Sequence, residues 1–115
     1  MDGTKSEVVP AIKEPSKQLD FPALASYDDL YIYETITLLN TNTALASVDI
    51  IALDKDGYEI DLNTLSPLST MESRDITLID IFNGSTLKNL STVRVISDIN
   101  ITGLQLVDYP DVDLV

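Results

Sequence analysis

Asp54-Lys55-Asp56-Gly57-Tyr58-Glu59-Ile60-Asp61-Leu62 runs from a turn into a strand, and its pattern separates sheet from helix. Asp-Gly between two β-patterned runs marks a hairpin, because glycine reaches positive φ at no steric cost. After the turn, Tyr58, Ile60 and Leu62 alternate with Glu59 and Asp61, the period of a half-buried strand. Before it, Ala46–Asp54 puts Val48, Ile50 and Ala52 on one side and Asp49 on the other. Ile51 and Leu53 share the side of Asp49, which predicts a strand covered on both faces.

The same period recurs on either side of this hairpin. Leu30–Asn40 is rich in Tyr, Ile and Thr, residues that suit a pleated sheet, and alternates Ile36 and Leu38 with Thr35 and Thr37. Leu19-Asp20-Phe21 predicts a short edge strand ending at Pro22, whose missing N–H disfavours further pairing. Asn63–Met71 reads as a loop through Pro67. Glu72–Asp80 turns Ile76 and Leu78 inward, and Ile81-Phe82-Asn83-Gly84 reads as a turn with Phe82 plugging one end of the core. Thr92–Ser97 turns Val93 and Val95 inward. Asp98–Asn100 predicts a turn, after which Ile101–Val107 directs Leu104 and Leu106 inward.

No stretch sustains helical periodicity over three turns. Short strands with frequent turn signals predict an all-β domain, an antiparallel β-sandwich of immunoglobulin-like size with about seven strands. Its core is then Ile36/Leu38, Val48/Ile50, Ile60/Leu62, Ile76/Leu78, Val93/Val95 and Leu104/Leu106, meeting between two layers. Residues 1–16, interrupted by Pro10 and Pro15, read as a flexible arm or linker, and residues 17–115 as the sandwich domain.

Composition narrows the chemistry. The 115 residues suffice for one domain, and with no Trp and two Phe the core is aliphatic. The net charge is −12, from 19 acids against 7 bases. A surface of that sign repels phosphate backbones and anionic headgroups, so nucleic acid is excluded as a partner. No apolar run approaches the ~18 residues of a membrane span, which excludes membrane insertion by a helix. With no Cys and no His, thiolate catalysis, imidazole triads and the usual nitrogen and sulfur metal ligands are missing, and no enzyme activity is expected. The four glycines show no phosphate-loop spacing.

Three segments carry a family resemblance: Tyr33-Glu34-Thr35-Ile36-Thr37-Leu38-Leu39-Asn40, the turn Asp54-Lys55-Asp56-Gly57, and Val93-Arg94-Val95-Ile96-Ser97-Asp98 with Ile101-Thr102-Gly103-Leu104. Together they resemble uncharacterised β-sandwich modules, often in tandem, of bacterial and archaeal secreted or surface proteins. The similarity spans about residues 21–107. It implies an extracytoplasmic protein, secreted or at the cell surface, whose signal peptide does not lie within this chain. Tyr33 stands where such modules more often carry Trp.

Two clusters are candidate sites. Asp54, Asp56, Glu59 and Asp61 crowd one hairpin and could hold calcium, which wants six to eight oxygens. The Asp-x-Asp-Gly start resembles an acidic calcium loop, but its glycine comes early and no closing bidentate Glu follows; a solvated turn is the alternative. Tyr31 and Tyr33, two apart on a strand, face the same way beside Asp28 and Asp29, a platform for carbohydrate or peptide. Burial of those rings at the sandwich edge is the alternative. The acidic tail Asp108, Asp111 and Asp113 reads as charged linker. The expected role is a non-catalytic structural or interaction module that binds protein or neighbouring domains. A carbohydrate-binding module and a calcium-stabilised β-domain are the competing readings.

Overall fold

A computed structural model describes the backbone of residues 6–23 and 33–108, and the side chains of 14–23 and 34–106. The elements run β1 (Ser6–Pro22), β2 (Tyr33–Leu39), β3 (Val48–Leu53), β4 (Glu59–Thr64), β5 (Ser73–Thr77), α1 (Leu78–Ile81), α2 (Gly84–Asn89) and β6 (Thr92–Asp108). All strand pairings are antiparallel.

The spine is β6. One of its edges pairs with β1 from Pro22↔Thr92 to Ser6↔Asp108. Its other edge changes partner: Val48–Leu53 of β3 lies along Thr92–Ser97, and Tyr33–Leu39 of β2 along Thr102–Asp108. Outside these, β4 adds to β3 and β5 to β2. The six strands thus form a curled half-barrel sheet with two short helices. Curvature has a local cause in β1, whose register shifts cluster between Val9 and Gln18, around Pro10 and Pro15. Proline gives the ladder no N–H, and each extra residue bends and twists the strand. Residues 6–16, expected as an arm, are therefore paired strand, irregular where the prolines fall.

Six strands stand where about seven were expected because residues 92–108 are one strand without the turn at Asp98–Asn100. On a continuous strand Val93 and Val95 cannot share a face with Leu104 and Leu106. Odd positions point inward: Val93, Val95, Ser97, Ile101, Gly103 and Gln105 are buried, while Leu104 and Leu106 are only half-buried on the outer face. The polar Ser97-Asp98-Ile99-Asn100 run lies where β6 leaves β3 for β2, and its groups are satisfied locally. Asp98 Oδ1 accepts from Ser47 N–H at 2.8 Å, Asp98 N–H donates to Ser47 O at 3.2 Å, and Asn100 O accepts from Asn42 Nδ2 at 2.5 Å. What reads as turn chemistry is a fork being closed.

The second correction concerns β4. Ile60 and Leu62, expected in the core, face outward and are exposed. The opposite side carries Asp61 and Asn63, whose side chains meet Thr86 Oγ1 at 3.1 Å and Ile81 O at 3.4 Å. The helices supply hydroxyl and carbonyl partners there, so polar residues are satisfied on the inner side of β4. The hairpin itself is present, with Gly57 at φ 86°.

Helix α1 begins at Leu78, where a strand was expected to continue, and keeps Leu78 buried; Phe82 closes the core as expected. Helix α2 is capped by Asn83, whose side chain accepts from Thr86 N–H at 2.9 Å, the usual role of Asn before a first turn. The core is aliphatic around Phe21, Ile36, Leu38, Val48, Ile50, Leu68, Val93, Val95 and Ile101.

Candidate functional site

The β3–β4 hairpin brings the first acidic cluster into view. Asp54 Oδ1 accepts from the N–H groups of Asp56 and Tyr58, both at 2.9 Å, and Asp54 O accepts from Gly57 N–H at 3.0 Å. Its carboxylate thus holds the turn, as short polar side chains do when they fold back on the backbone. Asp56 and Glu59 are exposed. Asp61 is engaged twice, by Leu62 N–H at 2.8 Å and by Thr86 Oγ1. Among the described residues no three acidic side chains converge as a cation ligand set. An open cleft of about 560 Å³ lies between this turn and α2, lined by Asp54, Lys55, Asp56, Ile60, Thr86 and Lys88 among others. Two acids and two bases line it, Lys55 between the acids on the turn and Lys88 on α2, so its lining carries no net charge.

The edge of the sheet is more distinctive. Among the described residues β4 pairs only with β3. Beyond the turn, Tyr58 is 70%, Leu62 48% and Ile60 36% exposed, and Ile51 of β3, opposite Leu62, is half-buried on the same side. An edge strand carrying unpaired backbone and apolar side chains is a template for pairing, which soluble proteins normally blunt with charge, proline or a bulge. Here the blunting is incomplete: a bulge between Ala52 and Leu53, and the Asp61 carboxylate on Leu62 N–H.

Protein-family models, curated proteins and solved structures yield no match to this chain.

The tyrosine cluster falls largely outside the described residues. Asp28, Asp29 and Tyr31 lie beyond them, as do Tyr27, Asp111 and Asp113; Tyr33 opens β2 opposite Asp108, with its side chain outside them. Next to that segment sits a polar group that sequence reasoning missed. Glu34 and Gln105 are fully buried, and Gln105 Nε2 donates to Glu34 Oε2 and, at 2.5 Å, to Pro22 O. Gln105 Oε1 finds no hydrogen-bond partner among the described residues. The two acceptors fix the amide orientation, since a flip would set Oε1 against both. Glu34 was legible, because it shares the parity of Ile36 and Leu38; Gln105 was hidden by the opposite parity assigned to its strand.

Buried Asn40 was likewise missed. Its Nδ2 donates to the carbonyls of Ala44 at 2.9 Å, Leu68 at 3.1 Å and Ser69 at 3.2 Å, and its Oδ1 accepts from Asn42 N–H at 3.0 Å. Asn40 ties the loop after β2 to the loop before β5, a structural rather than a binding role.

Proposed function

We propose that the chain is a non-catalytic interaction module of an extracytoplasmic protein, working by presenting a strand edge and a sheet face to another polypeptide. The observation that carries this reading is the outer side of β4, which pairs with no further strand among the described residues and exposes Tyr58, Ile60 and Leu62 on an acidic domain. The residue inventory supports it: with no His and no Cys, imidazole bases and thiolate nucleophiles are missing. The two half-sheets that share β1 and β6 suit a sandwich-like module, the architecture that the resemblance implies, and the extracytoplasmic setting rests on that resemblance.

The test is a selection from a displayed library of random peptides on the purified domain, repeated on the Ile60→Lys, Leu62→Lys variant. Ligands that lose binding on the variant bear the reading out. Ligands that bind both proteins equally, mapping to another face, count against it.

A further inference from the structure

Of the six asparagines in the chain, Asn83 alone precedes a glycine. The others precede Thr41, Thr43, Thr64, Leu90 and Ile101, whose branched side chains crowd their own backbone nitrogens. With no side chain on Gly84, its amide nitrogen can approach the Asn83 side-chain carbonyl carbon most freely. Both residues are exposed, so water reaches the pair. The fold holds the pair away from reaction. Asn83 is extended at ψ 172°, and its Oδ1 accepts from Thr86 N–H at 2.9 Å. Its backbone carbonyl accepts from Leu87 N–H at 3.0 Å. Closing a ring between the Gly84 nitrogen and the side-chain carbon turns ψ away from this value and breaks the cap. Thr86 and Leu87 are buried, and Thr86 Oγ1 donates to Asp61 of β4 at 3.1 Å. The cap therefore opens with α2 rather than alone.

We infer that the Asn83–Gly84 link is a site of spontaneous covalent modification, gated by the seating of α2 against β4. The Gly84 nitrogen gives up its proton and bonds to Asn83 Cγ; the Cγ–Nδ2 bond breaks, and Nδ2 leaves with that proton as ammonia. Water then opens the cyclic imide at one of its two carbonyls. Opening at Cγ restores the ordinary chain, with a carboxylate in place of the amide. Opening at the backbone carbonyl carbon leaves the chain running through the side chain, an isoaspartyl link. No electron is transferred, and water is the only co-reactant. The two products differ in consequence. An aspartyl side chain caps a helix about as well as asparagine does. An isoaspartyl link lengthens the main chain by a methylene, so the cap on Thr86 is lost and Leu87 loosens from the core that Phe82 closes. Age thereby releases α2 from the inner side of β4, whatever the outer side of that strand binds.

The experiment incubates the purified chain in mildly alkaline buffer, folded and in urea, and follows each asparagine by peptide mass spectrometry. Expected at Asn83, ahead of every other asparagine, is the mass gain of an amide becoming an acid, with isoaspartyl as well as aspartyl product. The folded chain reacts about tenfold or more slowly than the chain in urea, because the rate tracks the population in which α2 is open. Asp61→Ala removes the partner of Thr86 Oγ1; it speeds the folded reaction about threefold and leaves the rate in urea unchanged. Gly84→Ala suppresses the reaction in both states, and nothing lies within 4 Å of the added Cβ, so that variant keeps the fold. The isolated isoaspartyl form exchanges the amide hydrogens of residues 84–90 faster than the aspartyl form does. Conversion at Asn83 no faster than at Asn89, or an aspartyl product alone, overturns the proposal. Equal rates in the folded chain and in urea overturn its gating by α2, as do equal folded rates in the parent and Asp61→Ala.

Discussion

Gly103 sits where β1, β2 and β6 crowd together. A Cβ there would meet Thr37 O and Leu38 Cδ2 at 3.1 Å and Phe21 Cζ at 3.2 Å. The carbonyl belongs to the paired strand and cannot move aside, so Gly103→Ala is expected to cost about 1–3 kcal/mol, read from the shift in urea midpoint. Asn40 is the second single-residue dependency. Asn40→Asp keeps the shape but loses the donor to three loop carbonyls, and about 2 kcal/mol or more is the expected loss. Glu72 gives a pH signature. The Ser69 N–H, at 2.7 Å, and then Arg74 hold its carboxyl below the usual glutamate range. A depressed pKa adds stability that is present above the unfolded value and lost as pH falls through the folded one. Glu72→Gln is therefore expected to be less stable than the parent at neutral pH, with the gap narrowing below the usual glutamate range. Paired urea melts from pH 7 to pH 3 check it. None of these roles follows from residue type alone: it is the crowding of three strands around Gly103 and the loop carbonyls gathered around Asn40 that make the two irreplaceable.

Among the elements, β6 explains both what the sequence reveals and what it hides. Val93 and Val95, Ile36 and Leu38, and Val48 and Ile50 were legible as inward positions because each sits in a short run with one consistent parity. Leu104 and Leu106 were not, because Ser97-Asp98-Ile99-Asn100 imitates a turn and resets the count. The contrast is measurable: Ile101→Ala is expected to cost about 2–4 kcal/mol, and Leu104→Ala about 1 kcal/mol or less, by denaturant melts of the two variants. Strand β4 misled differently. Its alternation is plain in the sequence, but alternation does not say which face is inner, and the polar side found Thr86 and Ile81. The acidic hairpin was legible as a turn; that Asp54 is committed to its own backbone depends on rotamers no composition shows. Helix α2 had a signal that could have been used, the Asn83 cap ahead of Gly84-Ser85-Thr86.

At the scale of the whole molecule, β1 is not an accessory. Leu19 and Phe21 are buried in the core, and Arg94 reaches across from β6 to Asp20 at 2.9 Å on the outer face. Deleting residues 1–22 is expected to abolish cooperative unfolding, seen as loss of the thermal transition, since it removes both buried side chains and exposes one edge of β6.

The ladder between β1 and β6 starts with Ser6 opposite Asp108, so the two ends of the ribbon lie side by side. Tension applied through them would act across the hydrogen bonds rather than along them. The pairs would separate in succession, as a zip opens, instead of failing together in shear.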